Sequence, residues 1–249
     1  MWHTARVGQT VRVDEHKIEL EPGVAVSSVW AFPEGFTAGK SPALILAHGA
    51  GTDMRNPLLS FVHEALAQRG VMTVKFNFPY MEAGRKAPDP PQRLAHAWRT
   101  VLQRVRADAN PGALFLGGKS MGGRIASLVV AGGEPAAGLV LLGYPLQPAG
   151  RPETLRSEHF ARIACPVLFI QGSRDRLCDL NLLRGAMATM SAPVTLHVIE
   201  AGDHSFKVPQ RSGKTERQVW DEIVGVVAAW LATAVSAKGA SLPTGRAAC

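Results

Sequence analysis

The sequence predicts an α/β class fold: a doubly wound, mostly parallel sheet with an N-terminal antiparallel hairpin. Three observations predict it. Short apolar runs alternate with segments whose apolar residues recur at helical spacing, the order expected of repeated strand–helix–strand units. The apolar runs are continuous, as strands buried on both faces require. Near the start, Glu21-Pro22-Gly23 separates two strand-like runs, 17–20 and 24–26, with no helix between them.

The elements follow in order. Proline presets φ at the first central position of a type II turn and glycine accepts the positive φ of the second, so Pro22-Gly23 closes a hairpin. A strand at 43–47 leads to a helix at 56–69, where Leu58, Leu59, Val62 and Leu66 share one face. A strand at 71–76 follows. The helix at 91–107 is preceded by Asp89-Pro90-Pro91-Gln92, which resembles a capping box with prolines in its first turn. The apolar run 113–116 enters a glycine-rich turn and then a helix containing 125–130. Strands are expected at 138–143, 166–171 and 194–199, with a helix near 180–190 opened by Asp179, whose charge suits a helix N-terminus. A last helix starts at about 215, capped by Thr215 and Gln218, with Val219, Ile223, Val227, Trp230 and Leu231 as its inward stripe. Residues 1–238 read as a single domain, a usual size for one α/β unit. The tail 239–249, with Gly239, Pro243 and Gly245, reads as disordered.

Composition narrows the class of partner. The chain is 46% hydrophobic and 19% charged, as a soluble globular protein would be. No secretory leader is recognisable at the start. The apolar stretch 223–237 holds 15 uncharged residues, short of the ~20 of a membrane span. No membrane partner is therefore expected. Cys165, Cys178 and Cys249 make an odd number at unrelated spacings, which supports no disulfide framework and suits a reducing cytoplasm. No metal-ligand spacing is visible, and no metal or cofactor is expected. The net charge of +7 raises nucleic-acid binding, but Arg99, Arg104 and Arg106 are spaced as the wet face of a helix and lack interleaved stacking aromatics. Lys207, Arg211, Lys214 and Arg217 leave open a basic rim that attracts anionic substrates.

Four segments carry chemistry. In Gly117-Gly118-Lys119-Ser120-Met121-Gly122-Gly123-Arg124, a serine stands between glycines at minus two and plus two where a strand meets a helix. That is the nucleophile elbow of an α/β-hydrolase. So sharp a turn strains Ser120, and a Cβ at Gly118 or Gly122 would collide with it. The turn also offers the Met121 N–H to a developing oxyanion. His48-Gly49-Ala50-Gly51, at the end of an apolar strand, resembles the loop that supplies the second oxyanion donor. Ala50 is the first choice and Gly51 the alternative, and His48 reads as a structural imidazole. The strand 167–171 ends in Gly172-Ser173-Arg174-Asp175, where Asp175 is the candidate acid and Asp179 its competitor. After the last strand comes Gly202-Asp203-His204, with His204 the candidate base. The order Ser120, Asp175, His204 is the Ser…Asp…His order of this fold.

The chain resembles the small α/β-hydrolases grouped with testis-expressed protein 30 and NSL-complex subunit 3, a group related to dienelactone hydrolases. The matching stretches are 47–51, Asn77-Phe78-Pro79-Tyr80 with the residues around it, Arg85-Lys86-Ala87-Pro88-Asp89-Pro90, 118–124 and 202–206. The resemblance implies a hydrolase fold with a Ser-Asp-His triad and no settled substrate. Gly51 and Tyr80 are assigned to substrate binding. Between Tyr144 and Ala164 there is room for a loop and one short helix, so no large lid is expected and the site should be open. The proline-rich segment 78–91 either covers part of the site or is a stiff connector. The expected activity is a serine hydrolase acting on a small-molecule acyl substrate, with ester, thioester, lactone and peptide bonds all open. The alternative is a non-catalytic interaction module on the same fold, and oligomeric state is not readable.

Overall fold

The structure is a computed structural model that describes residues 10–148, 150–151 and 153–240. Its eight strands are β1 (Val11–Glu21), β2 (Val24–Pro33), β3 (Pro42–Ala47), β4 (Met72–Phe76), β5 (Ala113–Lys119), β6 (Gly138–Leu142), β7 (Val167–Gly172) and β8 (Val194–Ile199). They form one sheet in the order β1-β2-β4-β3-β5-β6-β7-β8. The β1–β2 hairpin pairs antiparallel, turning at Gly23 with φ of 80°, and β2 joins β4 antiparallel; every pairing from β4 to β8 is parallel. This is the α/β-hydrolase fold, with no large lid: among the described residues, Phe160–Arg162, a short 3-10 turn, is the one helical piece between β6 and β7.

The helices are α1 (Pro57–Ala67), α2 (Pro79–Glu82), α3 (Pro91–Ala109), α4 (Met121–Ala131), α5 (Leu180–Met187) and α6 (Glu216–Ala240). Alternation along each central strand sends neighbours to opposite layers. Ala43, Ile45 and Ala47 of β3 join α3 and α4 in one core, while Leu44 and Leu46 join α1 and α6 in the other. Sequential Leu139, Val140, Leu141 and Leu142 of β6 divide in the same way.

Helix ends follow local chemistry in most places. Asp179 caps α5 by accepting from the N–H groups of Asn181 and Leu182. Thr215 and Gln218 cap α6 reciprocally, Gln218 N–H to Thr215 Oγ1 and Thr215 N–H to Gln218 Oε1. The expected cap of α3 is different. Pro90 is the cap and makes no side-chain bond, because Asp89 turns inward and pairs with Arg85 at 2.5 Å.

The last helix also departs from expectation. The residues Glu216–Ala237 are long and apolar enough to cross a membrane, because the helix is continuous through its charged first turns. In this fold Val219, Ile223, Val224, Val227 and Leu231 are buried on the sheet, and its other faces are partly or fully exposed. Of the tail expected from 239, residues 239 and 240 continue α6 and 241–249 lie outside the described residues.

The register levels the carboxyl ends of the strands. Ala47 stands opposite both Phe76 and Gly118, Lys119 opposite Leu142, and Gly172 opposite Ile199. The segments following β3, β5, β7 and β8 therefore leave the sheet along one edge. β3 is the strand from which the order departs in both directions, the switch point where ligands enter open α/β sheets.

Candidate active site

Ser120 is the cap between β5 and α4, at φ 51° and ψ −117°. Positive φ is costly for a side chain with a Cβ, so the turn must be enforced by its surroundings. The glycines two residues either side explain how. A Cβ on Gly118 would stand 2.3 Å from the Ala47 carbonyl oxygen, and one on Gly122 would stand 2.2 Å from the same atom. The collision expected inside the turn is thus with β3, against which the elbow is pressed.

Ser120 Oγ lies 2.9 Å from Nε2 of His204, and Nδ1 of His204 lies 2.7 Å from Oδ2 of Asp175. A carboxylate cannot donate, so the proton of a neutral imidazole sits on Nδ1 and Nε2 accepts from the serine hydroxyl. Asp175 is held on all sides. Oδ2 also accepts from Gln171 Nε2 at 2.5 Å, and Oδ1 accepts from the Leu177 N–H at 2.8 Å. Gln171 is fixed in turn, its Oε1 accepting from the Tyr144 N–H. The Asp175 side chain is 0% exposed and that of His204 26% exposed, an acid shielded from water beside a base open to substrate.

The two expected oxyanion donors belong to different elements. Met121 is the first residue of α4, where a peptide N–H has no partner within the helix. The turn after β3 comes close, since a Cβ on Gly49 would be 3.4 Å from the Ser120 Cβ. Ala50 and Gly51 are exposed in that turn, with Gly51 at φ 73°.

His48 anchors this turn. It is 0% exposed, its Nδ1 lies 2.9 Å from the Gly49 carbonyl, and its Nε2 lies 3.0 Å from the Phe78 peptide nitrogen. Phe78 can only donate, so Nδ1–H donates to Gly49. Burial holds the His48 pKa below the ordinary histidine value. The segment after β4 supports the same turn: Asn77 Oδ1 accepts from the Met54 N–H, and Glu82 ties Asn77 to Ser27 and Lys17. Burial pushes the Glu82 carboxyl up, but the hydrogen bonds from Asn77, Ser27 and Lys17 outweigh it and hold the pKa down at about 2.

Tyr80 requires a correction. Assigned to substrate, it is 0% exposed and packs on His48 and Phe78. Burial pushes its hydroxyl up to about 12, and a peptide contact from Gly51 offsets part of that. Tyr80 thus reaches the site through the turn that carries Ala50. Within the 78–91 segment, Phe78 and Tyr80 pack against His48 beneath the turn after β3, whereas residues 83–88 are exposed.

Two residues were not anticipated. Gln171 is the second support of Asp175. Lys119, in the variable position before the serine, is 8% exposed with its Nζ 5.7 Å from the Phe206 ring centroid. Burial pushes its ammonium down to about 8, although Asp175 and Asp203 pull the other way. Three further histidines lie outside this trio: His159 meets Ser127, His197 meets Glu222, and His63 is buried in α1, where burial first and the nearby Lys75 charge second push its pKa down to about 3. Among the described residues no group of three or more His, Cys, Asp or Glu could hold a metal ion.

Comparison with known proteins bears on the fold that carries this site. The family described as alpha/beta hydrolase domain matches residues 40–232. Est1E from Butyrivibrio proteoclasticus is similar over 89% of this chain and 99% of its own, with a TM-score of 0.72 and 14% identity. A dienelactone hydrolase from Anabaena variabilis is similar over 90% and 98%, with a TM-score of 0.71 and 18% identity. An α/β serine hydrolase without a lid from Xanthomonas campestris is similar over 85% and 90%, with a TM-score of 0.65 and 22% identity. At these identities the likeness is one of fold.

Proposed function

The chain belongs to the α/β-hydrolase domain family, and from that premise we propose that it is a serine hydrolase cleaving a small ester-type acyl bond through a covalent acyl-enzyme. The observation that carries this reading is the pair of hydrogen bonds running from Ser120 through His204 to Asp175. His204 Nε2 takes the hydroxyl proton as Ser120 Oγ bonds to the acyl carbon. Asp175 keeps Nδ1–H in place and stabilises the imidazolium. The N–H groups of Met121 and Ala50 receive the charge that builds on the carbonyl oxygen. The imidazolium then gives its proton to the leaving oxygen as the bond from that oxygen to the acyl carbon breaks. Water frees the acyl group by the same route.

The lidless edge favours small or polar acyl compounds over long lipids. Neighbours that are esterases and dienelactone hydrolases support an ester or lactone bond. The stretches 77–80 and 85–90 support a place beside testis-expressed protein 30 and NSL-complex subunit 3 within the family. Two buried free thiols, Cys165 and Cys178, support a reducing, cytoplasmic setting.

A fluorophosphonate probe reports an activated serine without knowledge of the substrate. The wild type is expected to label, and Ser120→Ala and His204→Ala are not. A wild type that stays unlabelled while its circular dichroism is that of a folded protein would overturn the reading in favour of an interaction module.

A further inference from the structure

The loops that carry Asp175 and His204 also carry unpaired positive charge, and its placement bears on the substrate. Arg174 and Arg176 bracket Asp175 after β7, and Lys207 follows His204 by three residues after β8. Because β7 and β8 are neighbours, the two loops are tied together, the Arg174 N–H donating to the Gly202 carbonyl at 2.8 Å. Between them lies a cavity of about 490 Å³ whose wall includes Arg174, Arg176, Asp203, His204 and Lys207.

The three cations are exposed, and among the described residues none has an ion-pair partner. The densest basic run in the sequence behaves otherwise, for Arg99 and Arg106 meet Glu134, and Arg104 meets Asp108. The acids near the cavity are engaged. Asp203 Oδ1 accepts from the N–H groups of Ser205 and Lys207. Glu200 accepts from Ser173 Oγ and the Ala201 N–H, and Asp175 is enclosed by its three donors. The wall is left with an excess of positive charge and free donors.

Position assigns the cavity to one half of the substrate. It shares His204 with the hydrogen-bonded trio but is not lined by Ser120, Met121, Ala50 or Gly51. The acyl carbon must sit between the serine and the oxyanion donors, whereas the leaving atom must sit beside the imidazole that protonates it. Resting on the serine-hydrolase reading, we infer that this cavity receives the leaving group, and that the leaving alcohol or thiol carries a carboxylate or phosphate held by Arg174, Arg176 and Lys207. Guanidinium groups suit such a ligand because their donors match two oxygens at once. The acyl group itself carries no required charge.

The test compares esters that differ only in charge and its location. Wild-type kcat/KM at pH 7.5 and low salt is measured for 4-acetoxybenzoate and its methyl ester, then for mono-4-nitrophenyl succinate and 4-nitrophenyl butyrate. A preference of at least about tenfold is expected for 4-acetoxybenzoate over its methyl ester. No such preference is expected in the second pair, where the charge is on the acyl side. A leaving phenyl phosphate in place of the benzoate separates the two anions, and either one being preferred supports the inference. In Arg174→Gln, Arg176→Gln and Lys207→Gln the leaving-side ratio should fall toward one, and in Arg174→Lys it should partly return. The ratio is read within each protein, so a general loss of activity does not move it. A ratio at or below one for both anions in a wild type that labels with fluorophosphonate would overturn this inference alone. A preference confined to the succinate would do the same. No labelling and no turnover of any ester would sink the hydrolase reading with it.

Discussion

His48 and His204 stand at the same edge of the sheet, each just beyond a strand end and within reach of the elbow, yet their surroundings give them different uses. His48 is bonded to two peptide groups and enclosed by Phe78 and Tyr80. Its Nε2 lone pair is occupied by an N–H that cannot turn away, so it has no capacity to take a proton. His204 has a carboxylate behind it and a hydroxyl in front, and its Nε2 faces a donor that can part with its proton. The β3 turn is thus held by neutral partners that fix a backbone donor, while the loops after β5, β7 and β8 hold charge so that a proton can move. Partner chemistry, more than position, separates an imidazole locked between peptide groups from one placed to exchange a proton.

The most severe break in that contrast is to neutralise the carboxylate. Asp175→Asn preserves shape but presents an amide that can donate to Nδ1, driving the imidazole proton to Nε2, where it blocks acceptance from Ser120. Turnover of an aryl ester is expected to fall by about four orders of magnitude with little change in the urea midpoint. A rate near that of the wild type would move the acid role to Asp179 or Asp203. The geometry weighs against both, since Asp179 caps α5 and Asp203 ties its own loop.

The second break acts on the neutral side. His48→Ala leaves the Phe78 N–H and Gly49 carbonyl buried without partners and opens a void beside Phe78 and Tyr80. A stability loss of about 3 kcal/mol is expected by urea unfolding, from the orphaned groups and the lost packing together. Activity should fall more modestly, by about ten- to a hundredfold, through a displaced Ala50 donor. Fluorophosphonate labelling should persist at a reduced rate. An inactive variant of wild-type stability would make His48 a participant in the chemistry and erase the contrast.

What the sequence made legible follows the same division. The strand–helix order, the Asp179 cap, the Thr215–Gln218 cap and the segments now gathered along one edge are local or strongly patterned, so residue spacing reports them. Strand neighbours are not local: nothing in the periodicity of 24–33 says that β2 pairs with β4. Tyr80 misled because a tyrosine in a proline-rich loop looks exposed until Phe78 and His48 are seen to enclose it. Asp89 misled because an acid before two prolines suits a cap equally well as it suits the Arg85 guanidinium. Lys119 was legible in principle. Alternation along β5 puts Lys119 in phase with Ala113 and Phe115, toward the core that contains Phe206.

That buried lysine supplies the smallest and sharpest test of the charged side. Its pKa is near 8 in the fold against 10.5 as the ordinary value. Between those limits the unfolded chain binds more protons than the folded one, so raising the pH through this window favours folding. Below about pH 8 the lysine is charged in both states and the full cost of burying the ammonium is present. Above about 10.5 that cost is gone. The shift corresponds to about 3 kcal/mol at most, reduced by whatever the Phe206 ring and the two acids retain in the unfolded chain. Lys119→Met fills similar space without the charge, so it should be more stable than the wild type at neutral pH. Urea midpoints of the two proteins should then converge as the pH rises from 7 toward 10.5. The difference between the curves isolates this residue, because every other tyrosine and lysine titrates in both proteins. Parallel curves would mean that the cation is satisfied where it lies, and that the loops around His204 bear no standing electrostatic cost.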